Sequence, residues 1–298
     1  MKAILDEFLI QIDLINVNIN GGKPALKKPL CLLLLISKFE HQLIKENKIR
    51  FTDIEKELGE LIITFGGRPN KSGPKANQPF QYMNSSKFWK LILPSGVEMT
   101  HKRDLSIKIL RDQETFVQLD GEIFEMLKTS KEFRAIAADF IVKKWWPETI
   151  QEEIISTLSL PIYMPFSFKP QRNKEFAEIV LSNFRYRCAI CGFNATFNKH
   201  HFGLDGAHIK WFSQNGPDHI KNGLALCKIH HWAFDKGAMS ISPDKFTIEV
   251  SPLFIGRDSK SIEIIESFNG REIFPFKEET PDEKYLKWHQ DFIFLQQN

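Results

Sequence analysis

Two short runs in this chain have an easily named chemistry: Cys188-Ala-Ile-Cys191 and Cys227-Lys-Ile-His230. The first is a knuckle that lets two thiolates converge on one ion, and the second adds a third thiolate and an imidazole. Four such N/S ligands make a closed tetrahedral site of the kind that Zn²⁺ takes. A short insert between the knuckles has little core of its own, so the metal would supply folding energy. Three of the four cysteines lie in this pattern, so no disulfide framework is expected. Cys31, inside an apolar run, reads as a buried small hydrophobe.

Interleaved with these residues are Asp205, His208, Asn222, His231 and Asp235. His208 is expected at the end of a short strand and Asn222 in a loop. His231 and Asp235 stand at i, i+4 on a helix, so both face one side and can hold a divalent ion between them. Hydrolysis of a phosphodiester needs a base to activate water, a cation to stabilise developing charge, and a means of orienting the base. His208 is the candidate base. His231 and Asp235 are the candidate ligands of Mg²⁺ or Mn²⁺, with Asp205 as a third. Asn222 is expected to bond backbone in its loop and fix the His208 ring. Any one of these histidines alone is more often structural; the ordered set, threaded through a zinc-type site, is what points to hydrolysis.

The elements that must position these residues read as follows. Residues 1–16, Leu30 to about Lys45, Thr52 to about Ile63, 121–129 and 131–146 carry helical periodicity. Gly66 to Asn77 is a basic loop, and the aromatic-rich residues 78–98 read as short strands. Residues 148–175, broken by Pro161, Pro165 and Pro170, read as a connector. An amphipathic helix begins near Asn173 and leads into Cys188. Beyond it, Phe246–Val250 and Ile262–Ile265 look strand-like, and Tyr285–Leu295 looks helical. The expected class is α+β. A mainly helical N-terminal domain with a small sheet occupies residues 1–150, a linker 151–172, and a zinc-stapled second domain with a C-terminal extension 173–298.

Charge is uneven along the chain. Residues 66–111 carry nine lysines and arginines against Glu98 and Asp104, whereas residues 112–160 carry five against ten acids. Positive charge concentrated in the first third suits a polyanion, with a solvated basic face as the plain alternative. The longest apolar run, Leu30 to Ile36, is too short to span a bilayer. The N-terminus has no signal-peptide pattern, so a cytoplasmic location is expected.

The C-terminal set resembles the HNH endonucleases with a ββα-metal fold. The resemblance covers residues 172–245: an amphipathic helix, CxxC, Gly206-Ala-His208-Ile, Asn222-Gly-Leu-x-Leu-Cys227, His231-x-x-Phe234-Asp235, then Gly237. It implies that His208, Asn222 and His231 are the three motif residues and Asp235 a metal ligand one helical turn on. One departure is Ala207, where many members have a metal-binding Asp or His, which leaves Asp205 as the candidate third ligand. His200 and His201 are either further site residues or strand residues, and His200 reads as the latter.

A second resemblance covers residues 1–150. Lys23-Pro24…Lys28-Pro29 before a Leu-rich helix, Asn77-Gln-Pro-Phe80 and Phe88-Trp89-Lys-Leu91 look like the sulfur-binding domain of phosphorothioate-DNA-dependent restriction endonucleases, which also precedes an HNH domain. It implies a shallow apolar dimple for the backbone sulfur, rimmed by cations. Pro79, Phe80 and Tyr82 are the expected dimple and Lys28 and Arg103 its rim, with Lys71 and Lys75 in the basic loop. Ordinary core is the competing reading for Phe88 and Trp89. The implied partner is double-stranded, phosphorothioated DNA, and double-strand cutting needs two centres or two visits, which a homodimer would supply. Two other readings stand beside this one. One is an HNH enzyme directed to methylated or hydroxymethylated cytosine, with Tyr82 and Trp89 around a flipped base. The other is a non-cleaving DNA-binding regulator, which would have lost the base or the ligands.

Overall fold

A helix that is apolar on every side is stable only inside a bundle, and Leu30 to Ile36 is such a stretch. The computed structural model describes residues 2–15, 19–20, 23–24, 26–67, 73–99, 104–161 and 174–296. The chain forms two compact units, residues 1–145 with 151–164 and residues 146–150 with 165–298.

In the first unit, α1 (Lys2–Asp13) buries Leu5, Phe8 and Ile12. The short pair β1 (Ile19–Asn20) and β2 (Lys23–Pro24) leads to α2 (Lys27–Glu40), buried without interruption from Pro29 to Phe39. Around α2 pack α3 (Glu55–Phe65), α4 (Asn77–Tyr82), α6 (Gly121–Thr129) and α7 (Lys131–Trp145). Between them, β3 (Trp89–Ile92) pairs antiparallel with β4 (Phe116–Leu119), Trp89 facing Leu119, and α5 (Ile107–Leu110) lies in the connection. Phe8 meets Phe88 edge-on at 5.2 Å and stacks on Phe133 at 5.4 Å. Arg134, buried in this core, is paired: Nε donates to Glu40 at 2.7 Å and Nη1 to the Leu127 carbonyl at 2.7 Å. That pairing offsets the cost of burying its charge. Finally, α8 (Glu148–Thr157) follows Pro147, and its first turn groups with the second unit.

The second unit is organised by β7 (Leu204–His208) and β8 (Gly223–Cys227), antiparallel with Leu204 opposite Cys227 and His208 opposite Gly223. Helix α9 (Lys174–Asn183) lies across this pair, and α10 (Lys228–Asp235) follows β8 directly, which completes a ββα unit. The approach of α9 explains two glycines. A Cβ on Gly206 would sit 2.7 Å from the Ala177 Cα, and one on Gly223 would sit 2.2 Å from a Val180 methyl. Ahead of β7 stands a hairpin, β5 (Thr196–Phe197) with β6 (His200–His201). After α10 come the pair β9 (Met239–Ile241) and β10 (Ile248–Val250), then α11 (Ser259–Ile264) and α12 (Glu283–Phe292). The C-terminal extension packs on the ββα unit through His289 of α12. Its ring stacks on Phe234 at 3.6 Å, Nε2 donates to the Phe234 carbonyl at 2.9 Å, and Nδ1 accepts from Ser240 at 2.9 Å. Burial holds this histidine neutral, with its pKa down at about 4.

The class is therefore α+β, with helices dominating the first unit and small antiparallel sheets in both. Three local expectations are corrected. The first part of 78–98 is the helix α4 with a 3-10 turn after it, the connector contains α8, and Ile262–Ile265 falls in and just after α11. No helix among the described residues is long and apolar enough to cross a membrane.

Candidate functional site

β7 ends on His208, and α9 is close enough over Gly206 for Phe176 to reach it. The two rings stack with centroids 4.1 Å apart at 17°. His208 Nε2 lies 2.7 Å from Asp218 Oδ1. A carboxylate oxygen accepts, so Nε2 carries the proton and Nδ1 keeps its lone pair. Burial lowers the pKa of this imidazole, the bond to Asp218 partly restores it, and the balance leaves it below the ordinary value. His208 is thus a neutral imidazole at pH 7, with a carboxylate behind it and a free basic nitrogen in front.

Asn222 is wholly buried. Its Oδ1 accepts from Lys210 N at 2.9 Å, and its Nδ2 donates to the carbonyls of Lys210 and Pro217, both at 3.0 Å. These side-chain bonds are all to backbone of its own loop rather than to the His208 ring. The ring is held by Phe176 and Asp218, and Asn222 reaches it by tying down Pro217, the residue before Asp218.

Helix α10 carries two adjacent histidines to two different places. His231 Nδ1 is 3.0 Å from Asp205 Oδ2, and its Nε2 is 3.3 Å from Asp235 Oδ2. Asp205 Oδ1 accepts from Lys228 at 2.7 Å. Both oxygens of Asp205 are therefore engaged, one of them by the His231 nitrogen remote from Asp235. Asp205, expected as a third ligand, stands on the side of His231 away from Asp235. Burial alone would raise the Asp205 pKa, but His231 and Lys228 bring it down to about 2. Asp235 is 2% exposed, with Oδ1 accepting from Trp211 Nε1 at 2.9 Å and Oδ2 from the Thr149 hydroxyl.

His230 turns the other way. Its Nε2 donates to the Ile264 carbonyl at 2.8 Å, so Nδ1 faces the sulfurs, 3.1 Å from Cys227 and 3.6 Å from Cys188. Cys191 and Cys227 are 4.0 Å apart, and the ligand atoms of Cys188, Cys191, Cys227 and His230 all lie within 4.8 Å of one another. This group can hold a metal ion. Burial disfavours charge on His230, yet the three sulfurs raise its pKa to about 12, a proton there doing the work of a cation.

In the first unit the expected dimple is only partly a surface. Phe80 is 0% exposed, between Phe51 at 5.3 Å and Trp89 at 6.0 Å, and its carbonyl accepts from Trp89 Nε1. It is core, which corrects its place in the dimple; Phe88 and Trp89 are core as well. Pro79 is buried beside it on α4, while Tyr82 is half-buried and donates to Asp104 at 2.6 Å. Asp104 also accepts from Gln78, whose Oε1 accepts from Lys27 at 2.9 Å, so this chain of bonds links the start of α2 to α4. The bond to Asp104 raises the Tyr82 pKa to about 12. Lys28 and Lys75 are half-buried, and burial lowers the Lys28 pKa. Lys71 and Arg103 lie outside the described residues.

Residues 5–163 match the sequence model of the ScoMcrA-like DNA sulfur-binding domain, and residues 188–242 match that of an HNH endonuclease. The chain belongs to the ScoMcrA-like sulfur-binding family. It carries that DNA sulfur-binding domain followed by an HNH endonuclease domain. Solved structures similar to it include the modification-dependent restriction endonuclease TagI, 23% identical with a TM-score of 0.30, aligned over 42% of this chain and 39% of that one. The sulfur-binding domains of SprMcrA and ScoMcrA, each solved with phosphorothioated DNA, are 16% and 15% identical. They align over 52% and 51% of this chain and 94% and 97% of theirs, with TM-scores of 0.44 and 0.41. The chain thus spans well under half of the TagI endonuclease. No curated protein matches it.

Sequence reading missed Asp218, Phe176, Trp211, Thr149 and Lys228 in the second unit, and Asp104 in the first. Asp218 had a local signal, a carboxylate in the Gly216-Pro-Asp turn ahead of Asn222. The charge around His231 has a measurable consequence. Burial lowers its pKa, but Asp235 and Asp205 raise it to about 9, so without a divalent ion it is protonated at pH 7. A metal bound through Nε2 must displace that proton. Divalent-ion affinity at this pair should therefore rise with pH up to about 9, with close to one proton released per ion at pH 7. Calorimetry in two buffers of different ionisation enthalpy checks this; binding without proton release would contradict it.

Proposed function

We propose that this protein is a modification-dependent DNA endonuclease. Its sulfur-binding domain finds phosphorothioated DNA, and its HNH domain hydrolyses a phosphodiester nearby. One observation carries the reading: a sulfur-binding domain shares the chain with a neutral, carboxylate-backed His208 and a His231–Asp235 pair. His208 Nδ1 takes the proton of the attacking water, and the Asp218 carboxylate stabilises the imidazolium that results. Phe176 and the loop tied by Asn222 hold the ring in place. His231 Nε2 and Asp235 are the residues that would hold Mg²⁺ or Mn²⁺, with water and phosphate oxygens completing its shell. Bound there, the ion would offset charge on the pentacovalent phosphate and on the leaving oxygen.

For the Cys188, Cys191, Cys227 and His230 group the ion proposed is Zn²⁺. Zn–S bonds of about 2.3 Å in a tetrahedron place sulfurs roughly 3.8 Å apart, which the 4.0 Å between Cys191 and Cys227 fits. The bond from His230 Nε2–H to Ile264 O leaves the required Nδ1 lone pair.

A sulfur in place of a non-bridging oxygen is larger and more weakly hydrated, so an apolar surface beside cations should prefer it by about 1–3 kcal/mol. Tyr82 with Pro79 behind it, and Lys28, Lys71, Lys75 and Arg103 as cations, are the residues assigned to this role. The methylcytosine reading loses one of its two aromatics, because Trp89 is 1% exposed. A non-cleaving regulator has no reason to keep His208, His231 and Asp235 in this arrangement.

The test is binding of the full chain, as His208→Ala to prevent cutting, to duplexes differing by one Rp phosphorothioate at fixed salt. The sulfur duplex should bind about 10-fold tighter or more, and Tyr82→Ala should shrink that ratio. Equal binding across several core sequences would remove the sulfur reading.

A further inference from the structure

We propose that the hairpin β5–β6 is a second DNA-contacting element, one that places its outer face in a groove of the duplex being cut. This rests on the reading of the HNH domain as a nuclease and assigns that domain a substrate contact away from its catalytic residues. Residues paired across an antiparallel ladder share a face. Thr196 pairs with His201, and Phe197 pairs with His200. Phe202 N bonds to Ala195 O, which puts Phe202 on the Phe197 face.

The two faces have different surroundings. On one, the His201 ring stacks on Tyr186 at 3.8 Å and 8°, which seats the hairpin against the turn after α9. On the other, Phe197 is 73% exposed and Phe202 58% exposed, their rings 6.2 Å apart with His200 beside them. Two large aromatics this exposed, on a ribbon that runs through Gly203 into the strand ending at His208, need an occupant.

Charge selects that occupant. From Ile179 to Leu204 the chain has no Asp or Glu, while Arg185, Arg187 and Lys199 are all present and exposed. Lys199 stands in the turn with φ 66°, after Asn198 at φ 47°, so it is at the tip. A cationic tip and base around an apolar face fit a polyanion better than an apolar protein surface. A two-stranded ribbon fits the major groove, and exposed Phe side chains can pack on sugar edges or wedge between bases.

The experiment uses the full chain in the His208→Ala background and measures affinity for one duplex across a salt series. Phe197→Ser with Phe202→Ser should weaken binding on the order of 10-fold. Lys199→Ala should lower the slope of log K against log salt by about 1. Metal content of each variant confirms that the thiol site is intact; should the double Phe variant lose its metal, Lys199→Ala alone decides. Unchanged affinity and unchanged slope overturn the proposal. So does a shift in sedimentation with DNA affinity intact, which would make this face an interface between copies. A wild-type chain that binds DNA through this hairpin but never cuts would refute the nuclease reading and leave the hairpin contact standing.

Discussion

Replacing His208 by Ala should lower the cleavage rate by about 10²–10⁴-fold while leaving DNA affinity within a small factor of wild type. The expectation follows from position. His208 is neutral, its Nε2–H is held by Asp218, and its Nδ1 is the nitrogen left to take a proton. The side chain is half-buried against Phe176, so its removal also costs some packing, and a thermal melt must accompany the rate. Asp218→Asn separates chemistry from packing. Asn still fills the space but no longer favours the imidazolium. Since Asp218 is what raises the His208 pKa against burial, its loss moves that pKa further down. The base must be deprotonated to act, so the acid limb of the rate–pH profile should move to lower pH while the maximal rate falls. An acid limb that stays in place would show that His208 is not the base. Single-turnover cleavage over a pH series gives both quantities.

Removing the metal from the thiol site should unfold the HNH domain. Cys188 lies after α9, Cys191 before the β5–β6 hairpin, and Cys227 and His230 at the junction of β8 and α10. An ion bound there would tie the CxxC turn to the β8–α10 junction, at the edge of the core that Val180, Phe184, Leu226 and Phe234 share. Structural Zn²⁺ in zinc-finger peptides is worth about 10–16 kcal/mol of apparent folding free energy. This domain has β7, β8 and the C-terminal extension as further support and should lose less, a loss still comparable with the stability of a small domain. Scanning calorimetry of the full chain, with and without a strong chelator, should show one transition lost or greatly lowered. Cys191→Ser should do the same. Metal analysis should give one zinc per chain, and a chain without metal that melts like the untreated protein would refute the structural role.

Much of the HNH domain was legible in sequence because its chemistry sits at local spacings. CxxC, CxxH and the i, i+4 pair His231–Asp235 are fixed by one turn of backbone each. What stayed hidden is what the tertiary fold supplies. Ile264 contributes a backbone carbonyl to His230, and a carbonyl has no sequence signature. Phe176 looks like any apolar residue of an amphipathic helix until Gly206 lets α9 close on β7. The engagement of Asp205 by both His231 and Lys228 likewise appears only when β7 and α10 are brought together.

The first unit was harder. Residues 78–98 read as strands from their aromatics, but Pro79 is tolerated in the first turn of a helix and Phe80 gains more from burial against Phe51 and Trp89. Residues 148–175 read as a connector from their prolines, whereas Pro also starts helices, as Pro147 does before α8. At Ile262–Ile265 the β-branched residues suggested a strand, but Asp258 accepts from Ser261 N and caps a helix there.

The central claim joins the two domains: sulfur in the backbone directs the cut. Its most direct test is cleavage by the wild-type chain, with Mg²⁺ or Mn²⁺, of two duplexes identical except for one Rp phosphorothioate, with the products mapped to the nucleotide. Cutting at fixed distances from the sulfur, on that duplex alone, is the predicted result. Equal cutting of both duplexes would contradict the account and leave an HNH nuclease whose guide is not the sulfur.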